Sequence, residues 1–487
     1  MGARSIGTNL VSVTYYTPQW PFVDVMKSTK VNSSGFQWDL SSSSPTPSLD
    51  AQGYPVGLAS GQVATTYALR GLSGRYPAGQ YVVLFQGDGT VDVNFEGTRT
   101  SYSHNGSGTA RFTAQVNPGS SGLILRITRS SASNHVRNIR VIMPGFEATH
   151  ATQPFHPLFL QRIAPFSTLR FMDWGEINGS PVTNWSDRKR ADHRSQHGRN
   201  GVAHEVMADL VNRTQKQMWV CVPHKATDDY VRQMATLLRD RVDPRLKIFV
   251  EYSNEVWNGA FSQYNDVNNV AKSKGLTFEQ WFTQRSVQIF QIFEQVFGGR
   301  SRLVRVLGAH VANPGQTKRI VDALPSSSAA DAVAIAPYIG GRLGNSSNWQ
   351  TTRTWSVSQV LDATAADISR MRDLVRQNRS YAAARGLKLI AYEGGQHLAG
   401  VGSAANDSTL TSLFIAANRN SRMGQIYKDY LAMWAAEGGG TFVHFNDVYV
   451  PQKWGSWGSL EYQDQAPSTA PKYQALVETI QRWAQSP

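Results

Sequence analysis

The chain has 487 residues, of which 41% are apolar and 10% aromatic, so it can bury the cores of several domains or of one large barrel with an insertion. Its formal net charge is +13, yet only 17% of its residues are charged, because acids are scarce rather than because lysines and arginines cluster. This balance disfavours nucleic acid as a partner and leaves room for an anionic substrate. No run of about 18 apolar residues occurs, so no membrane span is predicted.

Cys221 is the single cysteine, which excludes an intrachain disulfide and a cysteine-based zinc site. It lies in the apolar run 218–222, where a buried and inert thiol is expected. The start of the chain shows no signal-peptide pattern, but a secreted protein that has lost its signal reads the same way. A secreted or periplasmic location is therefore the expectation.

Residues 1–54 begin with a short apolar strand, Ile6–Val11, and continue as an aromatic and polar stretch that we expect to form a loop of the active site. From residue 55 to 148, short alternating segments are separated by Gly-Asp-Gly, Asn-Gly and Asn-Pro-Gly turns, which predicts a β-sandwich. The sandwich has two readings, a structural wall beside the cleft or a carbohydrate-binding module. A module would present one of four aromatic side chains on an open face: Tyr81, Phe85, Phe95 or Tyr102.

From residue 149 to 487, apolar strands alternate with amphipathic helices, which indicates a parallel sheet covered by helices. The predicted strands are Thr168–Asp173, Met218–His224, Leu246–Tyr252, Leu303–His310, Ala332–Tyr338, Leu387–Glu393 and Thr441–Asn446. With Ile6–Val11 as an eighth strand, the pattern predicts an α/β fold, a (β/α)₈ TIM barrel with the β-sandwich inserted after strand 1. The alternative is a separate N-terminal β domain followed by an open, doubly wound sheet.

Acids and aromatic residues concentrate where the barrel strands end, which is the face that carries active sites in this fold. Glu255 follows the fourth strand and Glu393 ends the seventh, so their carboxyls should face each other across the barrel mouth. Glycosidic cleavage needs such a pair, because one acid protonates the leaving oxygen while the other attacks or activates water. Neither metal-ligand spacing nor a phosphate-binding loop is found, so no metal and no cofactor are predicted.

The tripeptide Ser253-Asn254-Glu255 after strand four, with Glu393 at the end of strand seven, resembles the clan GH-A retaining glycoside hydrolases, especially those similar to glycoside hydrolase family 5. The resemblance implies that Glu255 is the acid/base and Glu393 the nucleophile of a (β/α)₈ enzyme. It also implies that Arg170 contacts the nucleophile and that Tyr338 donates a hydrogen bond to it.

The same resemblance implies that Asn254 donates to the sugar 2-hydroxyl and that His224 is the strand-three histidine. Two positions depart from the family pattern. Ala336 stands where a histidine precedes Tyr338 by two residues, and Phe445 stands where a tryptophan is usual. The sugar specificity therefore stays open.

Further substrate contacts are expected near the strand ends, since aromatic rings stack on sugars and histidines hydrogen-bond to them. The candidates are Asp173, Trp174, His224, Trp257, His310, Trp454 and Trp457. Glu251 competes with Glu255 but lies deeper in its strand, where an ion pair of the barrel core is more usual. The basic loop 187–199 either steers an acidic polysaccharide or, as we favour, forms internal ion pairs.

The sequence thus predicts a retaining glycoside hydrolase acting on a poly- or oligosaccharide, with no nucleic acid as partner. Two alternatives stay open: a non-catalytic carbohydrate-binding protein on the same barrel, and a transglycosylase. Both carboxyls argue against a pure binder, which needs neither.

Overall fold

The structure is a computed structural model, and it describes residues 4–33, 36–95, 98–105 and 107–485. Within these ranges the chain forms two compact units. The first unit contains residues 4–11, 163–187 and 207–485, and the second contains residues 12–162 and 188–206. Residues 12–54, expected to be an active-site loop, therefore belong to the second unit.

Strand β1 (Ile6–Asn9) belongs to the first unit, and the strands that follow it form two antiparallel sheets in the second. They are β2 (Asp39–Leu40), β3 (Ala64–Ala68), β4 (Gly79–Gln86), β5 (Gly89–Phe95), β6 (Thr98–His104), β7 (Thr109–Val116), β8 (Leu123–Ser130) and β9 (Arg137–Ile142). One sheet has the order β2-β3-β8-β5-β6 and the other the order β7-β4-β9.

The alternating residues of these strands explain why the sheets form: strand β7, for example, buries every second side chain. Buried side chains of both sheets make one hydrophobic core, to which Tyr81 and Phe85 contribute fully buried rings. The two rings therefore cannot serve on an open carbohydrate-binding face. Tyr102 is 41% exposed and stacks on Phe112, whereas the side chain of Phe95 lies outside the described residues.

From residue 157 onward, one or two helices separate successive strands. They are α1 (Pro157–Ile163), β10 (Thr168–Arg170), α2 (His204–Thr214), β11 (Gln217–Val222), α3 (Asp228–Arg241), β12 (Ile248–Tyr252), α4 (Ser262–Ser273), α5 (Phe278–Phe297), β13 (Leu303–Gly308), α6 (Pro314–Asp322), β14 (Ala332–Ile335), α7 (Trp349–Thr352), α8 (Val357–Ala384), β15 (Lys388–Ala391), α9 (Ser408–Arg419), α10 (Ser421–Ala436), β16 (Phe442–His444) and α11 (Pro471–Gln485).

Strand β1 and strands β10 to β16 close into one barrel in chain order, with β1 pairing in parallel to both β10 and β16. The predicted eight-stranded parallel barrel is confirmed, and the open doubly wound sheet is excluded. The observed strands are shorter than the apolar runs that predict them, and most end two or three residues earlier. Consequently the residues after each strand are free to form the loops of the barrel mouth.

Apolar side chains fill the barrel interior, where Trp219 stacks on Phe249 with ring centroids 5.0 Å apart. Arg170 and Glu251 are polar exceptions, both almost fully buried. Buried charges persist only when they are paired and hydrogen-bonded. This pair therefore marks a polar site in the barrel interior, near the carboxyl ends of the strands. Within the described ranges, no helix is both long and apolar enough to cross a membrane.

Candidate active site

Arg170, the last residue of β10, holds two carboxylates inside the barrel. Its Nη1 donates to Oε1 of Glu393 at 3.0 Å, and its Nη2 donates to Oε2 of Glu251 at 2.9 Å. The same two nitrogens donate to Oδ1 of Asn9 at 3.0 Å and to Oδ1 of Asn254 at 2.8 Å. Because guanidinium donors lie in one rigid fork, Arg170 fixes these four groups relative to one another. Glu251 therefore forms an ion pair with Arg170 in the barrel core.

The carboxyl of Glu393 is held on both of its oxygens. Arg170 contacts Oε1, and the hydroxyl of Tyr338 donates to Oε2 at 3.0 Å. Burial and the charge of Glu255 raise the pKa of Glu393, while the Arg170 cation and the Tyr338 hydrogen bond act in the opposite direction. The side chain of Glu393 is therefore oriented by Arg170, which ends β10, and by Tyr338, which follows β14.

Glu255 has a different set of partners. The hydroxyl of Tyr392 donates to its Oε1 at 3.0 Å, and the amide of Asn258 donates to its Oε2 at 2.9 Å. Burial raises the pKa of Glu255, and both hydrogen bonds lower it. Among the described residues, no arginine or lysine forms an ion pair with this carboxyl. Of these two carboxyls, Glu393 is buried and contacts a cation, whereas Glu255 is partly exposed and forms no ion pair among the described residues.

The backbone that carries Glu255 is held in an unusual conformation. Ser253 has φ +57° and Glu255 has φ +41°, both in the left-handed region. Non-glycine residues are kept there at a cost of about 1–3 kcal/mol, and such residues cluster at functional sites. The loop after β12 is therefore shaped by its surroundings to direct the side chain of Glu255.

Two aromatic groups stand beside the carboxyls. Trp257 stacks face to face on His310, with ring centroids 4.1 Å apart and an angle of 8° between the planes. Trp457 contacts the rings of Tyr338 at 5.8 Å and His397 at 5.0 Å, and so packs on the residue that holds Glu393. Trp457, Trp257 and His310 are all partly exposed.

Of the four remaining expected substrate contacts, Asp173 interacts with the charges of Arg170 and Glu393, and the other three have other surroundings. Trp174 is fully buried and packs edge to face on Phe171, so its ring offers no face to a sugar, which corrects that expectation. Trp454 is 57% exposed, with Lys453 over its ring. Burial, followed by the charge of Glu176, raises the pKa of Asp173 to about 7.

His224, the fourth, is a rim histidine with an acidic partner. Its Nε2 lies 2.8 Å from Oδ2 of Asp266. Burial lowers its pKa despite this carboxylate, and burial also lowers the pKa of His310. Both rings are therefore suited to hydrogen bonding in the neutral form. In the described chain, no three His, Cys, Asp or Glu side chains come together as a metal-binding group.

Four residues of the site escaped the sequence analysis. Asn9 donates to the carbonyls of Tyr392 and His444 at 3.0 and 3.3 Å, and Asn178 accepts from Asn254 at 3.0 Å. Tyr392 holds Glu255, and His397 packs on Tyr338. Asn9 could have been found, because it ends β1 as the other site residues end their strands. Asn178 and His397 lie in loops without a pattern.

The basic loop 187–199 belongs largely to the second unit. Arg194 is fully buried there, lies 4.2 Å over the ring of Trp38 and donates to the carbonyls of Lys30 and Gln37. Arg188 forms an ion pair with Glu205, and Arg190 with Asp192. These contacts support the interpretation of internal ion pairs.

No protein-family model matches the chain, and no curated protein is similar to it. Similar solved structures include the CBM22-1 and GH10 modules of endo-1,4-β-D-xylanase 10B of Clostridium thermocellum with xylohexaose, at 10% identity and a TM-score of 0.42, over 96% of this chain and 97% of that one.

A 4-O-α-L-rhamnosyl-β-D-glucuronidase of Fusarium oxysporum 12S has 10% identity and a TM-score of 0.41, over 66% of this chain and 63% of that one. A GH5-4 broad-specificity endoglucanase of Clostridium acetobutylicum has 10% identity and a TM-score of 0.40, over 66% and 88%. The chain therefore matches less than two thirds of the glucuronidase. The neighbours are glycoside hydrolases, the class that the sequence resemblance names.

Proposed function

We propose that the protein is a retaining glycoside hydrolase that cleaves O-glycosidic bonds of a poly- or oligosaccharide by double displacement. The observation that carries the proposal is the unequal environment of two carboxyls that follow barrel strands. Glu393 contacts the cation of Arg170, whereas Glu255 is held by the neutral groups of Asn258 and Tyr392. Environments that separate the pKa values of two carboxyls assign one as acid and the other as base or nucleophile.

The proton of the pair belongs on Glu255. Like charges in a buried site disfavour ionisation of both carboxyls, so the pair retains a proton near neutral pH. Arg170 stabilises the charged form of Glu393 directly, at 3.0 Å, and Tyr338 adds a hydrogen bond to it. Glu393 is thus the carboxylate and Glu255 the carboxylic acid when substrate binds.

The reaction proceeds in two steps. In the first, the Glu393 carboxylate attacks the anomeric carbon while Glu255 transfers its proton to the leaving oxygen, which yields a glycosyl ester on Glu393. In the second, the Glu255 carboxylate takes a proton from water, the water oxygen attacks the anomeric carbon, and the ester bond breaks. Two inversions give net retention, which requires carboxyls about 5–5.5 Å apart.

Neighbouring side chains would bind the sugar. Asn254 uses one amide hydrogen on Asn178 and keeps the other for the 2-hydroxyl. The exposed parts of Trp257 and Trp457 supply apolar surface for sugar rings, and His224 and His310 supply ring nitrogens. We also infer that the two sheets between β1 and β10 form an inserted β-sandwich, because their buried faces share one core.

The test is release of new reducing ends from neutral and acidic polysaccharides by the parent, Glu255→Gln and Glu393→Gln. Glu478→Gln, at a half-exposed carboxyl of α11, is the matched control. We expect activity from the parent and the control only. Equal activity of the catalytic variants would exclude these carboxyls, and binding without cleavage by the parent would favour the carbohydrate-binding alternative.

Azide distinguishes the two roles on an aryl glycoside that needs no acid. It should restore turnover of Glu255→Ala with a glycosyl azide of retained configuration, and of Glu393→Ala with one of inverted configuration. The opposite assignment of configurations would exchange the roles. Disaccharide formation that exceeds hydrolysis in the parent would indicate a transglycosylase.

A further inference from the structure

A cavity of about 650 Å³ opens at the end of the barrel where the strands begin. Residues at the starts of adjacent strands line it, such as Lys247 before β12, Leu303 in β13, Ala332 in β14 and Lys388 in β15. Glu255 and Glu393 follow the opposite ends of strands β12 and β15. The cavity is therefore separate from the candidate active site.

The floor of this cavity is apolar. Phe249, Val304, Ala332 and Ile390 line it, and the same side chains belong to the hydrophobic cluster of the barrel interior. A floor of this kind accepts the carbon skeleton of a ligand. Its volume also lies within the range of small-molecule sites, about 300–1,000 Å³.

The rim of the cavity is strongly basic. Its cationic residues are Lys247, Arg300, Arg385 and Lys388, whereas Arg305 also lines the cavity but is buried. Asp331 is the single acid among the described lining residues. Asp331 is already engaged, because it accepts two hydrogen bonds from the Arg305 guanidinium, at 2.8 and 2.9 Å.

Three of the rim cations have no carboxylate partner. Arg385 pairs with Asp322, but the side chains of Lys247 and Arg300 donate to the backbone carbonyls of Ser301 and Ser328. Within the described chain, neither these two nor Lys388 forms an ion pair. All three are exposed to solvent at the cavity mouth, where Asp331, the one acid of the described lining, also interacts with the charge of Arg300.

We propose that this cavity binds a small organic anion that carries two or more carboxylate or phosphate groups. The skeleton of the anion lies on Phe249 and Ile390, and its charged groups contact Lys247, Arg300 and Lys388. An acidic saccharide and an organic phosphate share this chemistry. The site is independent of hydrolysis, because no residue of the catalytic pair lines it.

Isothermal titration calorimetry at low ionic strength tests the site with pyrophosphate, ATP and digalacturonate, and with uncharged adenosine as the control for ATP. We expect saturable one-to-one binding of ATP or digalacturonate and none of adenosine. Binding of ATP but not digalacturonate assigns an organic phosphate, binding of digalacturonate alone assigns an acidic saccharide, and binding of pyrophosphate alone would overturn the role of the apolar floor and with it the proposal. Absence of binding by all three anions overturns the proposal.

Charge reversal locates the binding. Lys247→Glu/Lys388→Glu should weaken the affinity on the order of tenfold or more, because two attractive charges become repulsive. Arg232→Glu/Lys272→Glu changes the net charge equally at exposed positions of α3 and α4 outside the cavity, and should bind as the parent does. Equal weakening in both pairs would mean attraction by the overall charge and overturn the site.

The milder pair Lys247→Gln/Lys388→Gln guards against misfolding. Its melting temperature by circular dichroism should match that of the parent, while its affinity falls. An unchanged affinity in this folded variant would overturn the proposal as well.

Discussion

Arg170 and Glu393 meet inside the barrel at 3.0 Å, although 223 residues separate them in the chain. Closure of the sheet makes this contact possible, because the ends of β10 and β15 lie on the same rim. The contact distinguishes Glu393 from Glu255 and so fixes the direction of the proposed chemistry.

Arg170→Lys should lower kcat about 10- to 100-fold. Lysine keeps the charge but not the fork, so it cannot donate at once to Glu393, Glu251 and Asn254, and a lost hydrogen bond to a charged group is worth about 1.5–3 kcal/mol. Steady-state kinetics measure the loss. Arg305→Lys, which also disturbs an arginine with two carboxylate partners, is the control and should keep the parent kcat. A parental kcat in Arg170→Lys would contradict the proposal.

Tyr338→Phe should move the acidic limb of the kcat/KM profile to higher pH and lower its maximum about tenfold. The hydroxyl donates to Glu393 at 3.0 Å and so favours the charged form of that carboxyl. Without it the pKa of Glu393 rises, and the nucleophile is lost at a higher pH. The measurement is the pH dependence of kcat/KM, and an acidic limb that stays in place would argue against Glu393 as nucleophile.

Tyr392→Phe should move the basic limb of the kcat/KM profile. Its hydroxyl donates to Glu255 at 3.0 Å, so its loss raises the pKa of that carboxyl and extends the acid form to higher pH. The basic limb of kcat/KM should therefore shift upward while the acidic limb is kept. Tyr252→Phe is the control, because its hydroxyl donates to the carbonyl of His224 instead of a carboxyl. Equal profiles for both variants would refute the acid role of Glu255.

Lys472→Met should flatten the pH dependence of stability. Lys472 is buried on α11, where its Nζ donates to the carbonyl of Ser456, and burial lowers its pKa to about 7. An unfolded lysine titrates near 10.4, so between about pH 7 and pH 10 the unfolded state binds more protons and the free energy of unfolding rises with pH. At lower pH the full cost of the buried charge remains.

Urea unfolding at pH 7, 8 and 9 measures this slope. The contribution of one group is at most about 1.4 kcal/mol per pH unit, and it should be missing in Lys472→Met. Lys272→Met, at an exposed lysine of α4, should keep the parent slope. The prediction fails if the two variants have the same slope.

The barrel and its polar rim could be predicted from sequence because the continuous apolar strands are followed by polar and charged residues. That rule located Arg170, Glu255 and Glu393. Asn9 obeys it as well, and the strand register places it opposite Arg170, but a register between strands distant in sequence is a tertiary property. The hydrogen bonds that give the two carboxyls different environments also depend on tertiary structure.

Trp174 shows why position after a strand does not decide exposure. The backbone turns directly after β10, with the amide of Gly175 donating to the carbonyl of Phe171, and the turn packs Trp174 inward on Phe171. A similar problem arises in β4, where the sequence does not show which face of the strand is buried. Tyr81 and Phe85 share one face because side chains alternate with period two, but the period does not say which face meets the core.

The single cysteine is a natural probe for transient opening of the barrel. Cys221 is buried with its Sγ 3.5 Å from Oε2 of Glu251, directly beneath the groups that Arg170 holds. Burial raises the pKa of this thiol, so both shielding and protonation protect it from a soluble thiol reagent. Pulsed labelling of the unmodified protein would therefore report how often this end of the barrel opens, with no engineered probe and no substrate.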